Sequence, residues 1–533
     1  MASSDIGSTK ENGSFKDQEM ERMDIDTPDY LDPKSKKKLV LVIATLCTLS
    51  FLAAFDNILI SSNMPTVASA FNAFNLYSWP NTAFLLTSAT VQPLYGVCAS
   101  VFGRRRMLIL FAICMYQIGT VLCSASQNMV MFIIARAFCG LGIGAFDTLM
   151  KIVVADYIPL RYIGRYQSYL GASWSLGYIV GGLLGGVIIS QTQTGWRSIF
   201  FLCLGVGFIA LILTIVAIEE PTRNTMSMQQ LAEVDLSGSA IWAVAIVCLV
   251  LALSWGGSTY PWSSPSVIAL LCIAGVGIIV FVIWEVKYAK QPIIPKRLFT
   301  NRSTVAVLVA AWLYGGCFQS LMTYVPLYLS VIRKEEAMAT NLELLCLVLV
   351  ACFANILTGL IIVKTGHYTW AMRSSLVILS ISCGLLTLLK VDSSRGLIVG
   401  LMIVTGVGAG GIINSEIITA QASVAYEFVP IITPLMTFCD QVGGIFGIAI
   451  VGSILSNQLY ANIAALNLPD VSSALVRQSS SYMDALPEPA RSMVLNAYAN
   501  AVNTSYWGSA AFAIVAFLAT LLLKHYNMRE GLK

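Results

Sequence analysis

The chain has 533 residues, of which 57% are hydrophobic and 11% charged, with a formal net charge of +4 and a mean hydropathy of +0.75. Soluble domains carry roughly a quarter charged residues, so the composition excludes a soluble globular protein and indicates an all-α polytopic membrane protein. The net charge says little about partners, because the placement of charges along a membrane chain matters more than their sum.

Residues 1–38 are polar, mixed in charge and without the apolar stretch of a cleavable signal. They read as a disordered tail ending in the basic cluster Pro33–Lys38. The first apolar run, 39–62, is long enough to cross a bilayer and carries Asp56 within it. An ionised Asp there costs roughly 2.5–3.5 kcal/mol on insertion scales, and such acids usually bind cations or carry protons. The competing reading is a hydrogen-bonded acid that only pins helices together.

Thirteen further spans follow near 79–101, 107–125, 130–155, 167–191, 198–218, 236–254, 266–286, 304–329, 342–363, 373–390, 396–420, 432–456 and 506–524. An even count puts both termini on one side. Basic residues gather in alternate loops (Lys36–Lys38, Arg104–Arg106, Arg161 with Arg165, Lys287 to Arg302, Lys364 with Arg373, Lys524 with Arg529), which assigns that side to the cytoplasm. Asn503 then opens a glycosylation sequon on the other side, close to the last span. Most of the thirteen cysteines lie in apolar spans and read as packing residues, not as bridges or metal ligands.

Gly96-(x)6-Gly103 ends the second span and Gly359-(x)6-Gly366 the tenth. With spans 7 and 8 as an insertion, both close the second helix of a six-helix half, a known plan of parallel repeats in transporters. The expected organisation is a tail at 1–38, a six-helix bundle at 39–220, two inserted helices at 221–302, and a second bundle at 303–533. That second bundle holds a non-cytoplasmic loop at 457–505.

The run from Gly96 through Gly103 to Arg104, Arg105 and Arg106 resembles the loop signature of the major facilitator superfamily, with Ser100 where the pattern has Asp. Leu52-Ala-Ala-Phe-Asp56 through Pro65 resembles the first-helix motif of its fourteen-span drug:proton antiporters. Arg136 with Gly140, Gly142 and Gly144 resembles its Arg-containing motif. The resemblance implies proton coupling at Asp56 and Arg136. Gly177, Gly181, Gly185 and Gly186 resemble the antiporter motif, with Gly182 in place of the usual Pro; their spacing also suits a plain packing stripe. Trp196-Arg197, Trp255-Gly-Gly257 and Tyr324-Val-Pro-Leu-Tyr328 resemble fungal members.

Glu416 and Asp440 are further acids in apolar spans, and with Asp56 they offer a central cavity up to three acids suited to a cationic solute; Asp147 in the fourth span is a separate candidate substrate contact. Asp147 and Lys151, four apart, are placed to neutralise each other. Asn414 and Trp174 are candidate substrate contacts, although amides in a bundle are more often interhelical glue. The reading is a monomeric proton-coupled antiporter that carries small, cationic solutes such as basic amino acids into a vacuole. The alternative is a plasma-membrane drug or toxin efflux pump, and a third reading is a nutrient sensor on the same fold. Expected partners are a small solute, protons and the bilayer. No nucleic acid, metal or cofactor is expected, and there is no ATP-binding loop or catalytic constellation.

Overall fold

The computed structural model describes residues 33–102, 105–158, 163–192, 195–218, 236–256, 260–287, 298, 300–335, 337–424, 428–466, 476, 482–483 and 486–524. Among them are fourteen long helices and no β-sheet. In chain order they are α1 (Pro33–Ala70), α2 (Trp79–Phe102), α3 (Arg105–Ser124), α4 (Met129–Tyr157), α5 (Ile163–Gln191), α6 (Ser198–Ala217) and α7 (Leu236–Trp255). There follow α8 (Pro265–Lys287), α9 (Arg302–Leu327), α10 (Ala337–Thr365), α11 (Tyr368–Leu386), α12 (Arg395–Ala422), α13 (Val429–Ala465) and α14 (Ala490–Thr520). Twelve are long and apolar enough to cross a membrane; the other two are α2, of 24 residues, and α7, of 20. The protein is an integral membrane protein.

Helix ends follow local chemistry. Asn128, Asn301 and Ser394 cap α4, α9 and α12 by accepting from Met131 N, Ser303 N and Leu397 N. Gly366, at φ +75°, stops α10 in the left-handed conformation that glycine adopts most easily. Pro326 lies near the end of α9, and a single π-turn, Tyr328–Ile332, continues that helix.

Several expected boundaries shift. The basic cluster at Pro33–Lys38 opens α1 instead of ending a tail; residues 1–32 lie outside the described residues. The loop expected at 457–505 is much shorter, because α13 continues to Ala465 and α14 starts at Ala490. Asn503 therefore sits inside α14, and its amide nitrogen already donates to the Leu389 carbonyl. The atom that would carry a glycan is engaged in this contact.

The helices of the two halves pair in the same way. In the first half α1 packs on α5 and α6, α4 on α2 and α3, and α3 on α6. In the second half α9 packs on α13 and α14, α12 on α10 and α11, and α11 on α14. Gly96 on α2 faces Thr148 on α4, and Gly359 on α10 faces Asn414 on α12, at matching places in the two halves. The halves meet through α5 on α10, α13 on α2, and α1 on α9. The inserted α7 lies against α2 and α13, with Trp242 5.7 Å from Phe438 between ring centroids, and α8 packs on α7.

Candidate functional site: a sealed ion pair and a polar seam between the halves

Asp56 is fully buried in the first half, and its carboxylate is held from two helices. Arg136 Nη1 on α4 donates to Oδ2 at 2.8 Å. Tyr116 Oη on α3 donates to Oδ1 at 3.0 Å. Arg136 is 1% exposed and lies 4.3 Å from the centroid of the Phe84 ring, and its Nε has no hydrogen-bond partner.

The glycines after Arg136 make this convergence possible. A Cβ at Gly142 would stand 2.6 Å from Ala112 O and Tyr116 Cβ, and one at Gly144 would stand 2.5 Å from Ser88 O. Bare backbone at these positions lets α3 and α2 close on α4. A buried ion pair is roughly neutral for stability when intact, while removing one partner costs about 3–5 kcal/mol. Stability alone does not account for this pair.

A second polar set lies along the seam between the halves. Asp147 Oδ2 accepts from Gln441 Nε2 on α13 at 3.2 Å, and Ser88 Oγ on α2 donates to Gln441 Oε1 at 3.3 Å. Lys151 Nζ donates to Thr437 Oγ1 at 2.8 Å. Asp147 and Lys151 thus both reach across to α13, while staying within electrostatic reach of each other along α4.

Asp440 lies within electrostatic reach of Asp147 and of Glu416. Glu416 Oε2 and Asp440 Oδ1 are buried without hydrogen-bond partners. Trp174 packs on Tyr178 at 4.3 Å between ring centroids, and Tyr178 Oη donates to Asn57 Oδ1 at 3.0 Å. Asn414 instead ties α12 to α10, its Nδ2 donating to Asn355 O at 3.1 Å. The three acids Asp147, Glu416 and Asp440 thus come together, but Asp56 does not join them; its partners lie inside the first half.

Nearer the face where α1 ends and α10 begins, neutral groups bridge the halves. Asn341 Nδ2 donates to Asn63 Oδ1 at 2.9 Å, and Tyr77 Oη donates to Thr323 O at 2.7 Å. The motif glycines Gly177, Gly181 and Gly185 press α5 onto α1 at Phe51, Ile58 and Asn63. Gly186 is buried on the same helix, and Gly182 faces Leu345 on α10 across the seam. Arg105 is in the first turn of α3; Gly103 and Arg104 lie outside the described residues.

Four features escaped the sequence reading: Tyr116, Gln441, Tyr178, and a second glycine stripe. Gly443 and Gly447 on α13 meet the Trp312 and Gly316 carbonyls of α9, mirroring α5 on α1. The run Gly443-Gly-Ile-Phe-Gly447 was a visible signal for it. Among the described residues no group of three metal-ligating side chains occurs, and all thirteen cysteines are free.

The family model described as Major Facilitator Superfamily matches residues 46–448. "Efflux pump FUS6" of Gibberella moniliformis is 30% identical over 517 residues, covering 94% of this chain and 91% of that protein. "Efflux pump aflT" of Aspergillus parasiticus is 30% identical over 440 residues, covering 82% and 85%. Among solved structures, the bacterial homolog of the human lysosomal transporter Spinster, inward-facing and occupied, matches with a TM-score of 0.63 at 14% identity, covering 90% of this chain and 96% of that one. The pairing of its helices, the repeat of its two halves and these matches agree: the chain belongs to the major facilitator superfamily and is a transporter, not an enzyme.

Proposed function

We propose that this transporter exports small organic solutes in exchange for protons, with both termini in the cytoplasm. The observation that carries the coupling is the sealed Asp56–Arg136 pair, because a solvent-free ion pair inside a helical bundle adds little stability over apolar packing. In this reading a proton reaching Asp56 neutralises the carboxylate that faces Arg136 and biases the rocking of one half against the other. The polar seam of Asp147, Glu416, Asp440, Trp174 and Tyr178 is where the solute is held. Curated relatives named efflux pumps favour export over the vacuolar uptake of basic amino acids expected from sequence.

Purified protein in liposomes tests the proposal, with rhodamine 6G and labelled lysine as probes. Export predicts rhodamine accumulation driven by a proton gradient across the liposome membrane, with lysine left behind. Lysine accumulation under the same gradient would restore the vacuolar reading. Uptake of either probe that ignores the gradient would remove the coupling.

A further inference from the structure

The Asp56 carboxylate has two oxygens and two donors, and the donors are not equivalent. Arg136 stays charged and has no acceptor atom, so at Oδ2 it can only donate. A tyrosine hydroxyl can both donate and accept. Tyr116 Oη donates to Oδ1 at 3.0 Å and also lies within electrostatic reach of Cys203 on α6. Asp56, Tyr116, Arg136 and Cys203 are all at most 1% exposed, so no solvent group can take over a lost partner. The other titratable groups facing this site are Cys139 on α4 and Cys123 on α3.

We infer that Asp56 takes its proton on Oδ1, and that Tyr116 is the positioning residue for this step, its hydroxyl turning from donor to acceptor as the proton arrives. The inference rests on the exchange reading above, which requires Asp56 to be protonated during the cycle. One O–H bond forms at Oδ1, and the proton comes from the aqueous phase. Tyr116 keeps its own proton and rotates it toward Cys203 Sγ, a weak acceptor. Arg136 remains on Oδ2. The site changes from a neutral pair to a net cation, with Tyr116 accepting from the new O–H group. A donor without acceptor capacity at Oδ1 would leave that O–H aimed at another hydrogen.

The test is infrared difference spectroscopy of the full-length protein in lipid, recorded across pH on wild type, Asp56→Asn, Tyr116→Phe and Cys203→Ser. The carbonyl band of a protonated carboxyl that disappears in Asp56→Asn belongs to Asp56. Tyr116→Phe is expected to move that band to higher frequency, because the O–H loses its acceptor. Cys203→Ser gives Tyr116 a better acceptor, strengthens the chain and moves the band the other way. The serine variant carries the test if the phenylalanine variant does not fold. A band present but unmoved in the folded variants overturns the role of Tyr116 and leaves proton exchange at Asp56 standing. Absence of any band lost in Asp56→Asn overturns both.

Discussion

Asp56 and Asn57 are adjacent on α1 and serve different networks. The carboxylate turns into the first half, to Tyr116 on α3 and Arg136 on α4, whereas the Asn57 amide oxygen accepts from Tyr178 on α5. Neighbouring helical residues point about 100° apart, so one helix separates the ion pair from the seam while keeping the two mechanically linked.

The ion pair is expected to matter more for coupling than for stability. Asp56→Asn strands a buried guanidinium, and loss of one partner costs on the order of 3–5 kcal/mol. Combining it with Arg136→Gln is expected to recover most of the lost thermal stability and none of the gradient-driven transport. Recovery of transport with stability would reduce the pair to a packing device.

The glycine stripes separate folding from motion. Gly177→Ala puts a methyl 2.5 Å from the Phe51 carbonyl, and Gly443→Ala drives one into the Trp312 carbonyl. Both meet rigid backbone, so monodisperse yield is expected to fall severalfold. At Gly182 a methyl meets the flexible Leu345 side chain at 3.2 Å across the seam, and Ile58 no closer than 4.0 Å. Gly182→Ala is therefore expected to keep a wild-type yield and melting temperature and to slow turnover a few-fold.

Asn341→Ala removes one bridge between the halves. A hydrogen bond is worth about 1 kcal/mol net, which is roughly a fivefold change in population. A cysteine placed at Leu345 is expected to react about that much faster with an impermeant thiol reagent in the Asn341→Ala background. Equal rates would show that this bridge does not hold the face closed.

Glu335, in the connection between α9 and α10, gives a pH dependence. Burial, and then the nearby Glu343 carboxylate, raise its pKa above the ordinary glutamate value; Arg395 and Arg333 oppose this. Because the folded pKa is raised, the favourable contribution is present at low pH and is lost as pH rises from about 4.3 through the folded value. Glu335→Gln mimics the protonated form, so it is expected to raise the melting temperature on the order of 1 °C at neutral pH. The gain should vanish in acid. A gain independent of pH would assign the effect to something other than this titration.

The fold was largely legible because hydropathy reports lipid contact, and Asp56 and Arg136 stood out as charges in apolar runs. The start of α14 was not legible. Its first half carries Asn496, Asn500, Asn503 and Ser505, which read as loop. Packing supplies their partners: Asn503 donates to Leu389 O, and Asn462 on α13 donates to the Ala497 carbonyl. Tyr116 gave no signal because a tyrosine in an apolar helix is unremarkable until its hydroxyl is seen to end on a carboxylate. The grouping of Asp147, Asp440 and Glu416 depends on three helices from two halves meeting, and no spacing along the chain encodes that. The same packing keeps Asp56 away from them.

The most direct measurement is gradient-driven accumulation of rhodamine 6G in liposomes, wild type beside Asp56→Asn, with equilibrium exchange of the same dye recorded without a gradient. The account predicts that the variant inserts and still exchanges dye at equilibrium but accumulates none against its gradient. Full gradient-driven accumulation by Asp56→Asn would contradict it.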